Sequence, residues 1–522
     1  MTLEILQSSL VIPSDDTPRE RLLLSNLDRV AVRKHNCTIY LFKNNEGDNY
    51  FFSVEVLKSA LAKALTMFYP LAGRHTIGQD GRDQIDCNAE GVLFVVARLD
   101  CTADSIQFEP MSPENRELFF PKEPQSSSLL EMLQVTYLKC GSVVLGTSTN
   151  HILVDGRGAA HFFQTWSRIA RGDLTSIVPP SFDRTPLRAR CPPKINFDFP
   201  AYMTDLSGIE GKPKSCALNL FKLSKEQIRH LKIRCSKGSN ITNVSSFVAV
   251  SALVWKCYCI AQGLDPDIKS RLYFTADIRN RIHRPIPTYF GNGVIRLSAT
   301  SEVSRITSSQ IGDVAGTVKA VIDGLTDEFI RSFIDYMEVM RDRKVSVITD
   351  MSESDLRIRT ILGMPIYDID FGWGAPQLVS WERCTENRVV YLMNEPGQDG
   401  GIKVVVSLDS STMKRFQKVF SEELLFKYFQ ARLPELCSQT LKQRLTECDS
   451  SDSDLVTPNT RQSAFSFSFS LSFSKEKRRL SPSDGASEAS ATRFRFLRFR
   501  KSRLFLGSNF KVLVTPFWEG LS

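Results

Sequence analysis

The chain has 522 residues, 42% of them hydrophobic, with 66 Lys and Arg against 58 Asp and Glu, for a formal charge of +8 at pH 7. Such a chain can bury a large core, and its length favours two or three domains over one. Twelve of the basic and four of the acidic residues lie from Arg461 onward, so the two signs balance in the rest. The body offers no net basic field, and nucleic acid is excluded as its expected partner.

Twelve cysteines are scattered, the closest pair being Cys257 and Cys259. This is neither a disulfide framework nor a zinc pattern, and reduced cytosolic thiols account for it. MTLEILQSSLVIPSDD has an acid where a signal peptide has basic residues. FVAVSALVW, 247–255, stops at Lys256, short of the roughly 20 residues that span a bilayer. The expectation is a soluble, cytoplasmic protein.

In chain order, VEVLKSALAKALTMFYPLAGR (54–74) has helical spacing up to the Pro70 break. QIDCNAEGVLFVVARL and MLQVTYLKCGSVVLGTSTN are β-branched and alternating, and residues 159–171 have a helical period that closes before Gly172. Residues 178–215 are proline-rich, with PPSFDRTPLRARCPPKINFDFP unsuited to a helix or central strand, and read as a crossover. Then come helical SKEQIRHLKIRC, apolar VSSFVAVSALVWKC, strand-like RLYFTADIR, a PIPTYFGNG turn, one long amphipathic stretch at 309–342, and strands RVVYLMN and IKVVVSLD. The class is α/β or mixed α+β. The expected division is 1–177, a linker at 178–215, a second domain at 216–434 and a low-complexity basic tail at 435–522.

Six histidines limit histidine chemistry, and His151 has the most suggestive setting: after a strand, before a turn glycine and a helix, where a rigid junction can aim a side chain into a cleft. It could be a base, a metal ligand or a structural histidine, and the residues alone favour the last. A metal site would need more than His151 and Asp155, and no HExxH pattern occurs. DFG at 370–372 lacks the HRD loop, Gly-rich loop and lysine of a kinase, so phosphoryl transfer is excluded. By itself DFGWG is a glycine-spaced aromatic turn.

HILVDG in the first half and DFGWG in the second together resemble the plant acyl-CoA-dependent BAHD acyltransferases. The likeness extends through TPRERLLLSNLD, FYPLAGR, CNAEGVLF, FDRTPLRARCPP and DIRNRIHRPIPTYFGN, over roughly residues 3–430, and is nearest to the hydroxycinnamoyltransferases. The resemblance implies two similar-sized, chloramphenicol-acetyltransferase-like domains with mixed sheets and a channel between them. It implies an acyl-CoA co-substrate, an alcohol or amine acceptor, no cofactor or metal, and a monomer. His151 would be the general base, serving the acceptor and then the leaving thiolate. Asp155 would hold the loop through a salt bridge to Arg279, with Gly156 giving backbone freedom behind the base. Asp370, Gly372 and Trp373 would shape the channel from a distance. Ser245, Ser246, Thr275 and Asp277 would meet CoA, although the serines could equally cap the following helix.

The chain departs from shikimate-using relatives, which carry Thr-Ser-Trp where Arg359, Thr360 and Ile361 stand, and no arginine can be assigned to grip a carboxylate. Shikimate is therefore disfavoured. Acids in the channel would favour amines, but sequence cannot place them. The tail, with SAFSFSFSLSFS and RFRFLRFRKSR, reads as a disordered appendage, a gene-model artefact or a membrane-holding segment. The rival function is a non-catalytic protein binding membrane or RNA through that tail.

Overall fold

The computed structural model describes residues 1–426, apart from 32–33, 45–46, 48–49, 110, 112–114, 116, 123–127, 200–201, 204–215, 238–240, 342–345, 348–350, 382–385 and 398–399. The tail at 435–522, and with it the expectation of membrane or RNA binding, lies outside the described residues, as does most of the crossover beyond 200. The described residues fall in one compact unit, Met1–Leu436.

The longer elements, in chain order, are β1 (Leu3–Val11), β2 (His35–Phe42), α1 (Val54–Met67), β3 (Val92–Leu99), β4 (Glu131–Leu138), β5 (Val143–Asn150) and α2 (Gly156–Ala170). After the crossover come β6 (Ala217–Leu223), α3 (Lys225–Ser236), α4 (Ser246–Gln262), β7 (Lys269–Asp277), β8 (Val294–Glu302), α5 (Ile311–Asp323) and α6 (Asp327–Val339). The chain closes with β9 (Leu356–Thr360), β10 (Leu378–Trp381), β11 (Val389–Asn394), β12 (Ile402–Leu408) and α7 (Ser410–Ser421).

Two six-stranded mixed sheets result, ordered β1-β3-β4-β5-β2-β10 and β6-β12-β11-β9-β7-β8. β10 belongs by sequence to the second half but pairs with β2 of the first sheet, Tyr40 opposite Val379 and Thr38 opposite Trp381. The two halves thus exchange backbone hydrogen bonds as well as side-chain contacts. The amphipathic stretch expected as one helix is two: α5 ends at Gly324, and Thr326 begins α6 by accepting the Phe329 amide.

α4 is buried along nearly its whole length, which explains why SFVAVSALVW lacks a polar stripe. Its Lys256 is buried too, and the ammonium donates to the carbonyls of Ile306, Thr307 and Ser309. A cation is thereby placed on the open carbonyls where a short helix ends. Gly263 closes α4 at φ +68°, a conformation that favours glycine. No described helix is long and apolar enough to cross a membrane.

Candidate active site

β5 delivers the chain to the site. Where the strand ends, the Asn150 side chain accepts from the Ile152 amide (3.1 Å) and turns the backbone, and the His151 amide donates to the Lys34 carbonyl (3.0 Å). The next helix begins at once, with Asp155 as its N-cap accepting from the Gly158 amide at 3.0 Å. His151 is half-buried between these two fixed points.

Its ring is oriented by Asn292. The Asn292 amide nitrogen donates to Asp28 Oδ1 (2.9 Å) and to the His151 carbonyl (2.9 Å). Both partners can only accept, so the amide oxygen must turn toward the imidazole, where it lies 3.0 Å from Nδ1. Nδ1 therefore carries the hydrogen, and Nε2 is left with a lone pair. Asp28 is itself fixed: one oxygen also takes the Asn292 main-chain amide (2.8 Å), the other takes both donors of Ser25 (2.8 Å each) and the Arg184 Nε (3.3 Å). Asn292 and Asp28 are both buried.

Asp155 faces away from the imidazole. It makes a two-pronged ion pair with Arg279, each prong 2.9 Å, and accepts from the Gly293 amide at 2.8 Å. Arg279 is 1% exposed and spends its remaining donors on the carbonyls of Tyr289 and Gly291 and on Asp277. Burial opposes its charge, but Asp155 and Asp277 more than offset that and hold its pKa above the ordinary value.

One expectation needs correcting. Gly156 does not use glycine's backbone freedom, since it sits in the first turn of α2 and is not among the residues of positive φ. The position that demands glycine is Gly158, where a Cβ would collide with the Val154 side chain. Close packing, not a special φ, explains it.

DFGWG lies at the other end of α2. Asp370 accepts from the Gly372 and Gly374 amides (2.8 Å each), with both glycines at positive φ, and its carbonyl takes Arg171 just past the helix. Phe371 packs edge-on to Trp166 (4.7 Å), and Trp373 leans on Phe52 (5.5 Å). α2 has 15 residues, so at 1.5 Å per residue its ends are about 20 Å apart. The turn is thus well removed from the start of α2, where His151 sits.

The residues expected to meet CoA are spread over two elements. Ser245 is the N-cap of α4, its hydroxyl accepting from the Val248 amide at 3.1 Å, and Ser246 is the first helical residue. Thr275 and Asp277 end β7, where Asp277 is taken up by Arg279 and Arg157. A polar cavity of about 200 Å³ lined by Gln262, Glu353, Asp409 and Arg415 contains none of the expected site residues.

On β9, Arg359 forms an ion pair with Glu386 (2.8 Å) and lies 5.8 Å from the Tyr391 ring centroid. Arg357 reaches the same carboxylate at 3.3 Å, and Ile361 is buried. On the first sheet Glu131 is fully buried. Its Oε2 accepts from the Thr149 hydroxyl at 2.6 Å, while Oε1 has no partner. Burial pushes its carboxyl up to about 8, against smaller lowering effects of the Thr149 and Ser148 hydrogen bonds.

Asn292, Asp28, Arg184 and Glu131 had no role in the sequence reading. The first three lie inside stretches that carry the family likeness, YFGN, SNLD and FDRTPLR, but nothing local says they meet. Glu131 did carry a signal, because a lone acid in the apolar run LLEMLQVTYL is a residue type almost never buried without cause. Among the described residues no group of three or more His, Cys, Asp or Glu is placed to hold a metal ion.

Two six-stranded mixed sheets, the first completed by a strand from the second half of the chain, with a histidine of fixed tautomer at the end of β5, are the arrangement of a two-sheet acyltransferase. The solved structures it resembles agree on the fold: vinorine synthase (TM-score 0.64, 23% identity, 81% of this chain and 98% of that one) and F. sporotrichioides TRI101 complexed with coenzyme A and T-2 (TM-score 0.66, 18% identity, 76% and 97%). The transferase family model matches residues 1–423, and the chain belongs to that family, the BAHD acyltransferases. It is 39% identical over 451 residues to putrescine hydroxycinnamoyltransferase 1 of Oryza sativa subsp. japonica, covering 81% of this chain and 100% of the relative. To shikimate O-hydroxycinnamoyltransferase of Nicotiana tabacum it is 35% identical over 437 residues, covering 80% and 99%. The protein is an acyl-CoA-dependent acyltransferase.

Proposed function

We propose that the protein transfers a hydroxycinnamoyl group from its CoA thioester to an alcohol or amine, with His151 as general base. The observation that carries this is the Asn292 contact, which leaves Nε2 of a half-buried histidine as a proton acceptor. The acceptor's O–H or N–H meets Nε2, its lone pair attacks the thioester carbonyl carbon, and the proton passes to the imidazole. The tetrahedral intermediate collapses by breaking the C–S bond, and the imidazolium returns the proton to the thiolate. The products are an ester or amide and free CoA. Charge on the imidazolium is met by the Asn292 oxygen, which is held in place by Asp28 behind it.

Asp155 with Arg279, and the turn with Asp370, Gly372 and Trp373, support the site without touching reactants. Thr275, Asp277, Ser245 and Ser246 are read as lying along the CoA path. No resident cofactor is needed, and the protein is read as a cytoplasmic monomer, with a tail whose basic and aromatic sequence would suit an anionic membrane. Relatives of this name class support the hydroxycinnamoyl donor.

The test is turnover of p-coumaroyl-CoA against a panel of alcohols and amines, with products identified by mass. His151→Ala should lower kcat by about 10²–10⁴ and leave the melting temperature unchanged. Full activity in that variant would remove the base assignment.

A further inference from the structure

The cavity of about 200 Å³ that holds none of the expected site residues lies at the opposite end of α4 from Ser245 and Ser246. α4 has 17 residues, so its two ends are about 24 Å apart. Gln262 ends this helix, Arg388 stands just before β11, and Asp409 links β12 to α7, so three separate parts of the second half close around one space.

The lining is rich in donors. The Gln262 side-chain oxygen accepts from the Thr412 hydroxyl (2.5 Å) and the Asn387 side-chain oxygen from the Arg388 amide (2.9 Å), so what each of these side chains has left to offer is its NH2 group. Arg415 gives Nε to the Ala261 carbonyl and Nη2 to the Thr412 hydroxyl at 3.4 Å. Arg388 gives Nη2 to the Met351 carbonyl, and its Nε is buried with no hydrogen-bond partner. Among the described residues, then, both guanidiniums bond only neutral oxygens.

Two acids also line the cavity. Asp409 is tied to α7: its Oδ1 accepts from the Ser411 amide and hydroxyl and from the Thr412 amide (3.1, 2.7 and 3.0 Å). Burial opposes its charge, but these hydrogen bonds outweigh that and bring its pKa down to about 2. Glu353 is exposed. Arg388 is fixed differently, in a strained backbone. It sits at φ +60°, uncommon for a residue with a side chain, while its amide donates to the Ser407 carbonyl (2.8 Å) and its carbonyl accepts from the Arg357 amide (3.0 Å). Strain of this kind persists where the surroundings over-determine it, and it collects at ligand sites.

Guanidiniums that meet only neutral oxygens, with amide N–H groups beside them, match an oxyanion. We propose that this cavity is a second ligand site, which binds the phosphate monoester of a small polyol through Arg388 and Arg415. The phosphate meets the two guanidiniums and the amides of Gln262 and Asn387. The cavity has room for more than a bare phosphate, and the hydroxyls of a short carbon chain donate to the acids. The site stands independently of the acyl-transfer reading and of the path read for CoA.

Binding to the full-length protein is measured by calorimetry and by the shift in melting temperature, at one ionic strength set with chloride. The probes are glycerol 3-phosphate, inorganic phosphate and glycerol. Glycerol 3-phosphate should bind at least about threefold more tightly than inorganic phosphate, and glycerol should not bind. Arg388→Met and Arg415→Gln should each weaken glycerol 3-phosphate by roughly tenfold or more. Arg415 is exposed, so its variant keeps the test readable if Arg388→Met lowers the melting temperature of the unliganded protein. Saturating CoA should leave the affinity unchanged. No binding of either phosphate, binding that persists in Arg415→Gln, or displacement by CoA would overturn the second site. Inorganic phosphate bound as tightly as glycerol 3-phosphate would overturn the monoester and leave a site for the free ion.

Discussion

Two buried carboxyl groups lie near the end of β5, and they are treated in opposite ways. Asp155, four residues after His151, has both oxygens filled by Arg279, Gly158 and Gly293. Glu131, across the strand from Thr149, is held by the Thr149 hydroxyl and the Ser148 main chain and has no cation beside it, with Oε1 left without a partner. Burial is nearly the same, 3% against 0% exposure. The difference lies in partners: Asp155 is matched by a buried cation and fixes a backbone, whereas Glu131 has no cation beside it and burial keeps its proton on.

The strongest way to break that contrast is to unmatch Asp155. Asp155→Ala strands Arg279, 1% exposed, without its principal counter-charge, which should cost about 3–5 kcal/mol. Urea unfolding, or the yield of soluble protein, reads this directly. Retained stability in the variant would mean that the pair is ornamental and that the contrast with Glu131 is empty.

Glu131 should behave the other way, and with pH. Its folded pKa, raised to about 8 by burial, lies above the ordinary carboxyl value of about 4.3. Between those values the folded state holds a proton that the unfolded state has lost. Stability contributed by this group is therefore fully present below about pH 4.3 and declines as pH rises to about 8, by a few kcal/mol in all. Glu131→Gln has no such slope, so its stability relative to wild type should grow between pH 5 and pH 8.5. A constant difference across that range would mean that the carboxyl titrates normally and that its oxygen is not bare.

How much of this was legible in sequence follows from range. The elements were readable because helix and strand periods are local: α2 and β5 sit close to where apolar spacing put them. β10 was not, since a four-residue strand carries too little period to announce itself, and still less that it crosses to the other sheet. His151 and Asp155 were legible through the motif. The path behind the base was not, because Asp28, Arg184 and Asn292 come from three separate stretches, and spacing within a stretch says nothing of what folds against it. Gly156 misled for a related reason: the motif marks a glycine, but Gly158 is the one whose Cβ would strike Val154.

Asn292 gives a smaller test, of the support behind the base. Asn292→Ala removes the oxygen that holds the Nδ1 hydrogen and takes one donor from Asp28, which keeps the main-chain amide of residue 292. The stability cost should be about 1–3 kcal/mol, with kcat falling about 10–100-fold, as for loss of a group that orients an imidazole. A change in KM alone would place Asn292 with substrate binding and would separate it from the His151 relay.

The smallest effect concerns Ser245, where two readings of one hydroxyl divide cleanly. As the N-cap of α4 it accepts from the Val248 amide, and Ser245→Ala should cost about 1 kcal/mol of stability. As a CoA contact it would also raise KM for the acyl-CoA. α4 is buried almost throughout, so a frayed first turn is held by packing, and the cap reading expects KM to move less than about threefold. Ser245→Asp separates the two further. Aspartate caps as well as serine and suits the helix dipole, so stability should return, while a new negative charge beside CoA phosphates would weaken binding at low salt. A stable Ser245→Asp variant with an unchanged, salt-independent KM puts the CoA phosphates away from this helix end; a KM that rises sharply at low salt and recovers with added salt brings them to it.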